Sequence, residues 1–340
     1  MKKLKRFIYL GYYFKKLDWP KFLLFLNYTA QTTGKSKFSI LIDVLASVFQ
    51  YNISLLEYFQ FRFFEKDKYE RSQWAGTGYM YEYQLVMNPP GSRDILDDKS
   101  LFYKNYKAYF IHQVATLSEL EANPQLEQKF LNAASGKIVL KVVDGKCGAD
   151  VEICPIETIK STGLVAYMQA KKFDLAEEFI IQHPLLQELS PSGVNTVRIF
   201  TQLTPDNQVV LLGCRQRISV NSPVDNMAAG NLAAPIDPET GLVNGPGVYS
   251  DITKKDEVKH PITGVDIIGF QVPFWKETIE MVKKAALAHP QNRSIGWDIV
   301  ITDRGPGFIE GNHDWCKLLW QLPVHQGMKK ILESHLQTNR

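Results

Sequence analysis

The chain has 340 residues, 45% hydrophobic and 22% charged, with 22 Gly and 17 Pro scattered along it. That length suits two or three packed units, and the composition excludes a mainly disordered, collagenous or low-complexity chain. Cys147, Cys154, Cys214 and Cys316 form no Cys-x-x-Cys pair, which argues against a disulfide scaffold or a structural zinc and for a reducing compartment.

The net charge of +3 is unevenly spread. Residues 1–21 hold seven basic side chains and one acid, Asp18, leaving −3 for the remainder. Basic charge confined to one end does not make a general nucleic-acid binder, and no nucleic-acid partner is expected. Among the lysines stand Phe7, Ile8, Tyr9, Tyr12, Tyr13, Phe14, Trp19, Phe22 and Phe25. Basic groups beside rings suit peripheral contact with an anionic membrane. The same pattern also describes a helix docked on the protein with a basic outer face, and the sequence leaves both open. A secretory signal fits poorly, because Lys15 and Lys16 interrupt the apolar stretch and no small-residue cleavage site follows. The longest apolar run there, FLLFL at 22–26, is far short of the roughly 20 residues of a spanning helix. A cytoplasmic protein, at most lying on a membrane, is expected.

Residues 21–64 read as helices separated by polar turns, and a breaker cluster from Trp74 to Gly91 marks a boundary near 90. Residues 94–135 look helical, with a break at Pro124. KIVLKVV is a β-run ended by the turn DGKCGAD, and VEICPI is extended. LVAYMQAKK follows as a helix, then DLAEEFIIQHP as a strand stopping at Pro184. VNTVRIFTQL and QVVLLGCRQRISV form a hairpin about TPDN. After the helix WKETIEMVKKAALAH, the strands SIGWDIVIT and GFIEGN meet across DRGPG, before a C-terminal helix. Hairpins mixed with single helices argue for α+β lobes over a doubly wound sheet. The expected divisions are 1–90, helical; 91–184, a first lobe; and 185–340, a second.

The last hairpin carries the sharpest chemistry. Alternation sets Asp298, Val300 and Thr302 on one strand face and Phe308, Glu310 and Asn312 on one face of the partner. With Asp298 near Asn312, two carboxylates and an amide oxygen share a surface, a donor set suited to Mg2+. Lys141 ends a β-run, and Gly145 and Gly148 bracket Lys146, a loop that suits phosphate and, alone, equally suits a tight hairpin. In AEEFIIQHP the strand edge offers backbone groups to a planar base, with Glu177 or Glu178 taking an exocyclic amine. Arg198, Arg215 and Arg217 lie on adjacent strands, the last two sharing a face, and suit phosphate or carboxylate.

Taken in this order, the elements resemble the ATP-grasp superfamily, and more closely the sugar-transfer-associated ATP-grasp proteins, related to amino-acid ligases and often found with polysaccharide assembly genes. IIQHPLLQELSPSGVNTVRIFT, DNMAAGNLAAPIDPETG, HPITG and IGWDIVITDRGPGFIEGN carry the resemblance, which covers roughly 95–325. It implies an ATP-grasp fold, with two α+β lobes clasping the nucleotide after a mainly helical N-terminal region. By position, Lys99 and Lys141 would contact ATP phosphates or the base edge, and residues 145–148 would cover the β- and γ-phosphates. Glu178 and the backbone of Phe179 and Ile180 would hold adenine. Asp298, Glu310 and Asn312 would ligate one or two Mg2+ ions, and Arg198, Arg215 and Arg217 would neutralise the triphosphate and an acyl phosphate. Two departures stand out: Lys141 precedes Val142 where the family has proline, and Gly230–Asn231 replaces paired glycines, which reshapes the acceptor side.

The implied activity is an ATP- and Mg2+-dependent carboxylate–amine ligase, forming an amide through an acyl phosphate in cell-surface polysaccharide or sugar-conjugate synthesis. Its partners would be a small-molecule carboxylate and an amine, sugar-linked forms among them. Alternatives are a phosphotransferase acting on a hydroxyl, and a non-catalytic nucleotide-binding assembly factor at the membrane. A structural role is expected for His313.

Overall fold

Caps and apolar stripes define the first third of the chain. A computed structural model describes residues 2–142 and 151–337. The helices Lys2–Lys15, Trp19–Thr33, Lys37–Tyr51 and Leu55–Gln60 follow the helical reading. Asp18 and Ser36 accept from the first turns of the second and third helices, while Gly34 and Asn52 end them in left-handed conformations. Phe22, Phe25, Ile40, Val44 and Val48 face inward. A further helix, Thr77–Met87, falls inside the stretch expected to break structure. Its glycines serve close approach: a Cβ would lie 2.5 Å from Ile53 on Gly76 and 2.2 Å from Asn52 on Gly78.

The first sheet is antiparallel and holds β1 (Val114–Thr116), β2 (Lys137–Lys141), β3 (Val151–Pro155) and β4 (Leu175–Glu178), in the order β1-β4-β2-β3. Its core joins Ile138, Leu140 and Ala176 to Leu120, Phe130 and Met168 from the covering helices. Two expectations are corrected here. β1 interrupts the run read as helix, because Thr116 caps the helix Leu117–Ala122, with Glu119 returning to the Thr116 N–H at 2.9 Å. β4 ends at Glu178, well before Pro184, since the chain then leaves the first sheet and His183 N donates to Ile301 O at 2.8 Å in the second.

The second sheet is also antiparallel. It comprises β5 (Val197–Leu203), β6 (Val209–Ile218), β7 (Leu232–Ile236), β8 (Ser294–Thr302) and β9 (Gly305–Asn312), in the order β7-β6-β5-β8-β9. One face buries Val197, Ile199, Cys214, Trp297 and Ile299 under the helix Trp275–Ala288. On the other face, Phe200 and Ala233 join Trp315 and Trp320 in a single core with the N-terminal helices. Strand alternation leaves Arg198, Arg217 and Asp298 on this second face, beside that core and open to the first sheet. The α+β organisation is thus as expected, and the helical region is built onto the second sheet.

A candidate nucleotide and metal site between the two sheets

A β-bulge shapes the site. Asp298 stands opposite Glu310 and Ile299 opposite Phe308, so Ile309 is the extra residue in β9. This corrects the expectation that Phe308 and Glu310 share a face. Phe308 lies in the core, its ring 4.8 Å from that of Trp297, while Glu310 faces the cleft. Asn312 pairs with Gly296, one step along from Asp298 on the same face. The bulged Ile309 borders three adjoining cavities of about 410, 20 and 360 Å³.

Arg215, Arg198, Asp298 and Glu310 fall in one row across β6, β5, β8 and β9. Arg198 grips Asp298 with two nitrogens, Nε to Oδ1 and, at 2.7 Å, Nη2 to Oδ2. Arg217 Nη1 lies 3.0 Å from Asp298 Oδ2, and its Nη2 lies 2.6 Å from Asp225. Burial by itself would raise the Asp298 pKa, but the two guanidinium groups hold it down to about 2. Glu310 moves the other way: burial, then the neighbouring Asp298 charge, raise its pKa. Asn312 Nδ2 donates to Glu310 Oε1 at 3.2 Å.

This donor set fits Mg2+. Two buried carboxylates in contact repel when both are ionised, and a hard cation relieves that repulsion. Among the described residues no three His, Cys, Asp or Glu side chains converge on one point. The protein would thus offer few ligands, the arrangement Mg2+ accepts when water and phosphate complete its shell. Arg215 is committed elsewhere. Its guanidinium donates to the carbonyls of Cys214 and Trp320, tying the end of the helix Lys317–Gln321 to β6. It does not line any of the three cavities.

On the facing lobe, Lys141 Nζ lies 2.6 Å from Glu177 Oε2, and His112 Nε2 is 3.5 Å from the same oxygen. Burial opposes the Glu177 charge, but Lys141 and His112 outweigh it and bring its pKa to about 2. Lys99 Nζ donates to Val142 O at 3.2 Å, joining the start of the helix Lys99–Tyr106 to the point where the glycine loop departs. Gly145, Lys146 and Gly148 lie outside the described residues. Lys99, Lys141, Glu177 and Glu310 line the narrow cavity between the sheets. The neighbouring 360 Å³ cavity is walled by Val139, Ile153, Phe179, Ile180 and Ile309, with Glu178 at its side. Glu178 Oε2 accepts from Gln113 N at 3.0 Å and lies 3.5 Å from Arg304.

Sequence reasoning missed Lys21 and Gln60, which the N-terminal helices contribute to the 410 Å³ cavity, and Asp225, which orients Arg217. No local pattern marks Lys21 or Gln60, since only tertiary packing brings them there. Asp225 and Asn226 stand in the DNMAAG segment, whose local pattern gives neither a role. Asn231, the departure noted above, is buried and holds this loop. Its Oδ1 accepts from Val220 N at 2.7 Å, and its Nδ2 donates to the carbonyls of Val224 and Asn226 at 2.8 and 3.0 Å. His313 Nε2 lies 3.0 Å from Asp97 Oδ1.

Two antiparallel sheets thus face each other across this cleft, as the resemblance to the ATP-grasp superfamily implies. The sequence model for sugar-transfer-associated ATP-grasp proteins matches residues 79–336, and the chain belongs to that family. Curated protein sequences give no match. Solved structures similar to this chain include the ATP-grasp ligase PsnB complexed with a minimal precursor (10% identity, 75% of this chain and 63% of that one, TM-score 0.45). Another is the biotin carboxylase of Campylobacter jejuni (13% identity, 71% and 46%, TM-score 0.42). A third is the D-alanyl-alanine synthetase A of Vibrio cholerae (11% identity, 74% and 66%, TM-score 0.41). The chain thus spans under two thirds of the PsnB chain's length.

Proposed function

We propose that this protein is an ATP-dependent carboxylate–amine ligase that forms an amide through an acyl phosphate, serving sugar-conjugate or cell-surface polysaccharide synthesis. The supporting observation is the row Arg198–Asp298–Glu310, with Arg217 beside it, facing Lys99 and Lys141 across a narrow gap. Adenine would enter the apolar cavity beside Phe179 and Ile180, and residues 145–148 would cover the phosphates. Asp298, Glu310 and Asn312 would hold Mg2+, which when bound supplies charge neutralisation to the phosphate oxygens. Arg198 and Arg217, fixed by buried carboxylates, present cationic edges to a transferring phosphoryl group without reorganising.

A carboxylate oxygen attacks the γ-phosphorus, the bond to ADP breaks, and an acyl phosphate forms. An amine nitrogen then attacks the acyl carbon, phosphate leaves, and the amine gives up a proton. The reaction needs no protein nucleophile, only positioning and charge. The test incubates the protein with MgATP and a panel of carboxylates and amines, sugar-linked ones included. ADP and phosphate released in equal amounts, with hydroxylamine trapping a hydroxamate, are expected. ADP with a phosphorylated hydroxyl product, or tight ATP binding without turnover across the panel, would overturn the reading.

A further inference from the structure

We propose that the three N-terminal helices form a docking surface for an anionic lipid bilayer, a role independent of the ligase reading. The helix Lys2–Lys15 is docked on one side only. Tyr13 is 6% exposed and packs into the bundle with Tyr9, Leu10 and Leu17 beside it. Arg6 donates to Phe49 O at 2.5 Å and Tyr9 to Glu82 at 3.3 Å. The other side turns Phe7 and Phe14, 62% and 42% exposed, to solvent two helical turns apart. Helix Trp19–Thr33 presents Trp19 and Leu23, and helix Lys37–Tyr51 presents Phe38, Ile42 and Leu45 in the same way.

These stripes join into one surface. The Phe14 ring lies 6.3 Å from Trp19, and Phe7 lies 4.9 Å from Phe49, which continues the stripe of Ile42 and Leu45 by helical spacing. Exposed apolar side chains that adjoin across three helices, rather than standing singly, are the pattern of an interaction site. Lys15 and Lys37 are exposed on the same helices, and Lys5 and Lys16 are exposed on the first helix's outer surface and at its end. Residues 1–42 contain nine basic side chains and a single acid, and that acid, Asp18, is engaged as a helix cap, accepting from Lys21 N at 3.0 Å.

The charge selects the occupant. A two-fold contact with a second copy would set these lysines against one another. An anionic bilayer answers them with phosphates while taking the rings into its interface, the depth Trp19 suits with one apolar and one polar edge. No helix among the described residues is long and apolar enough to cross a membrane, so the surface lies on the bilayer. The helix carrying Trp19 and Leu23 also sends Lys21 to the wall of the 410 Å³ cavity, so the docking surface and the cleft share an element.

Flotation of the full chain with vesicles of phosphatidylcholine alone, and of phosphatidylcholine mixed with phosphatidylglycerol, tests this. Binding to the mixture only is expected, weakening but persisting as salt rises, because screening acts on charge and not on inserted rings. The double variant Leu23→Asp/Phe38→Asp changes exposed side chains, so it should melt like the parent and bind roughly tenfold or more weakly. Absence of binding to the mixture, equal binding to both vesicles, or unchanged flotation of the double variant would each overturn the proposal. So would a dimer, seen by light scattering, that the double variant dissociates while vesicles bind neither form.

Discussion

Asp298 and Glu310 face each other, yet their surroundings make them respond differently to substitution. Asp298 is the shared partner of Arg198 and Arg217, so Asp298→Asn leaves buried guanidinium groups short of charge. A broken buried pair costs about 3–5 kcal/mol, and denaturant melting should register it. Glu310 makes no ion pair of this kind and its proton affinity is already raised, so Glu310→Gln should melt close to the parent. In calorimetry it should nevertheless bind MgATP far more weakly, and a Glu310→Gln protein that binds MgATP normally would exclude this residue from the proposed Mg2+ site. Acid offers a second measurement. The depressed pKa values of Asp298 and Glu177, both about 2, mean that their stabilisation is complete above the ordinary carboxylate range near 4. It is lost as pH falls toward 2, by about 2–3 kcal/mol for each group. Melting temperature should hold from neutral pH to about 5 and fall below 4, with a smaller acid-induced fall in Glu177→Gln.

Elements succeed in this chain where side chains close their ends. The helix Leu55–Gln60 begins in a capping box, with Glu57 returning to Ser54 N at 2.7 Å. The same carboxylate accepts from Thr77 N at 2.9 Å and Thr77 Oγ1 at 2.7 Å, and lies 3.0 Å from Lys317 Nζ. One buried acid therefore joins two N-terminal helices to a C-terminal one. Glu57→Gln should lower unfolding free energy by about 3–5 kcal/mol, read as a reduced denaturant midpoint with unchanged slope, and an unchanged midpoint would refute the linking role. Local pattern is enough to recover the second sheet's hairpins and the face of β8 that carries Asp298, because strict alternation and turn residues lie within a few positions of each other. Thr116 and Glu119 have the spacing of a capping box, but the long amphipathic run around them hides the three-residue β1. Gly76 and Gly78 read as breakers because their reason, contact with Ile53 and Asn52, is tertiary. The bulge at Ile309 was beyond local reading for the same cause: nothing in GFIEGN says which residue the partner strand skips, and that choice decides which face Glu310 takes.

At the scale of the molecule, the N-terminal helices and the second sheet stabilise one another. Family likeness begins at residue 79, which suggests a shorter folding unit, but the core crosses that line. Phe25, Phe59, Phe61 and Phe63 from the helices share a cluster with Phe200, Leu212, Trp315 and Trp320. Ala75 N donates to Gln321 Oε1 at 2.9 Å, and Gln321 Nε2 returns to Ala75 O at 3.0 Å. A chain trimmed to residues 79–336 would lose these large buried rings together. It would expose both tryptophans and leave Lys317 without Glu57. Each lost aromatic alone costs about 3–5 kcal/mol when truncated in a core, and several together exceed the 5–15 kcal/mol that holds an ordinary domain folded. The trimmed chain should therefore fail to give a cooperative thermal transition and should lack the near-ultraviolet dichroism of packed tryptophans. Removing residues 1–16 takes away one buried ring, Tyr13, and should lower the melting temperature while leaving the transition cooperative. A cooperative melt of the 79–336 chain within a few degrees of the parent would mean that the second sheet closes its own core, and that Lys21 and Gln60 reach the cleft from a separable unit.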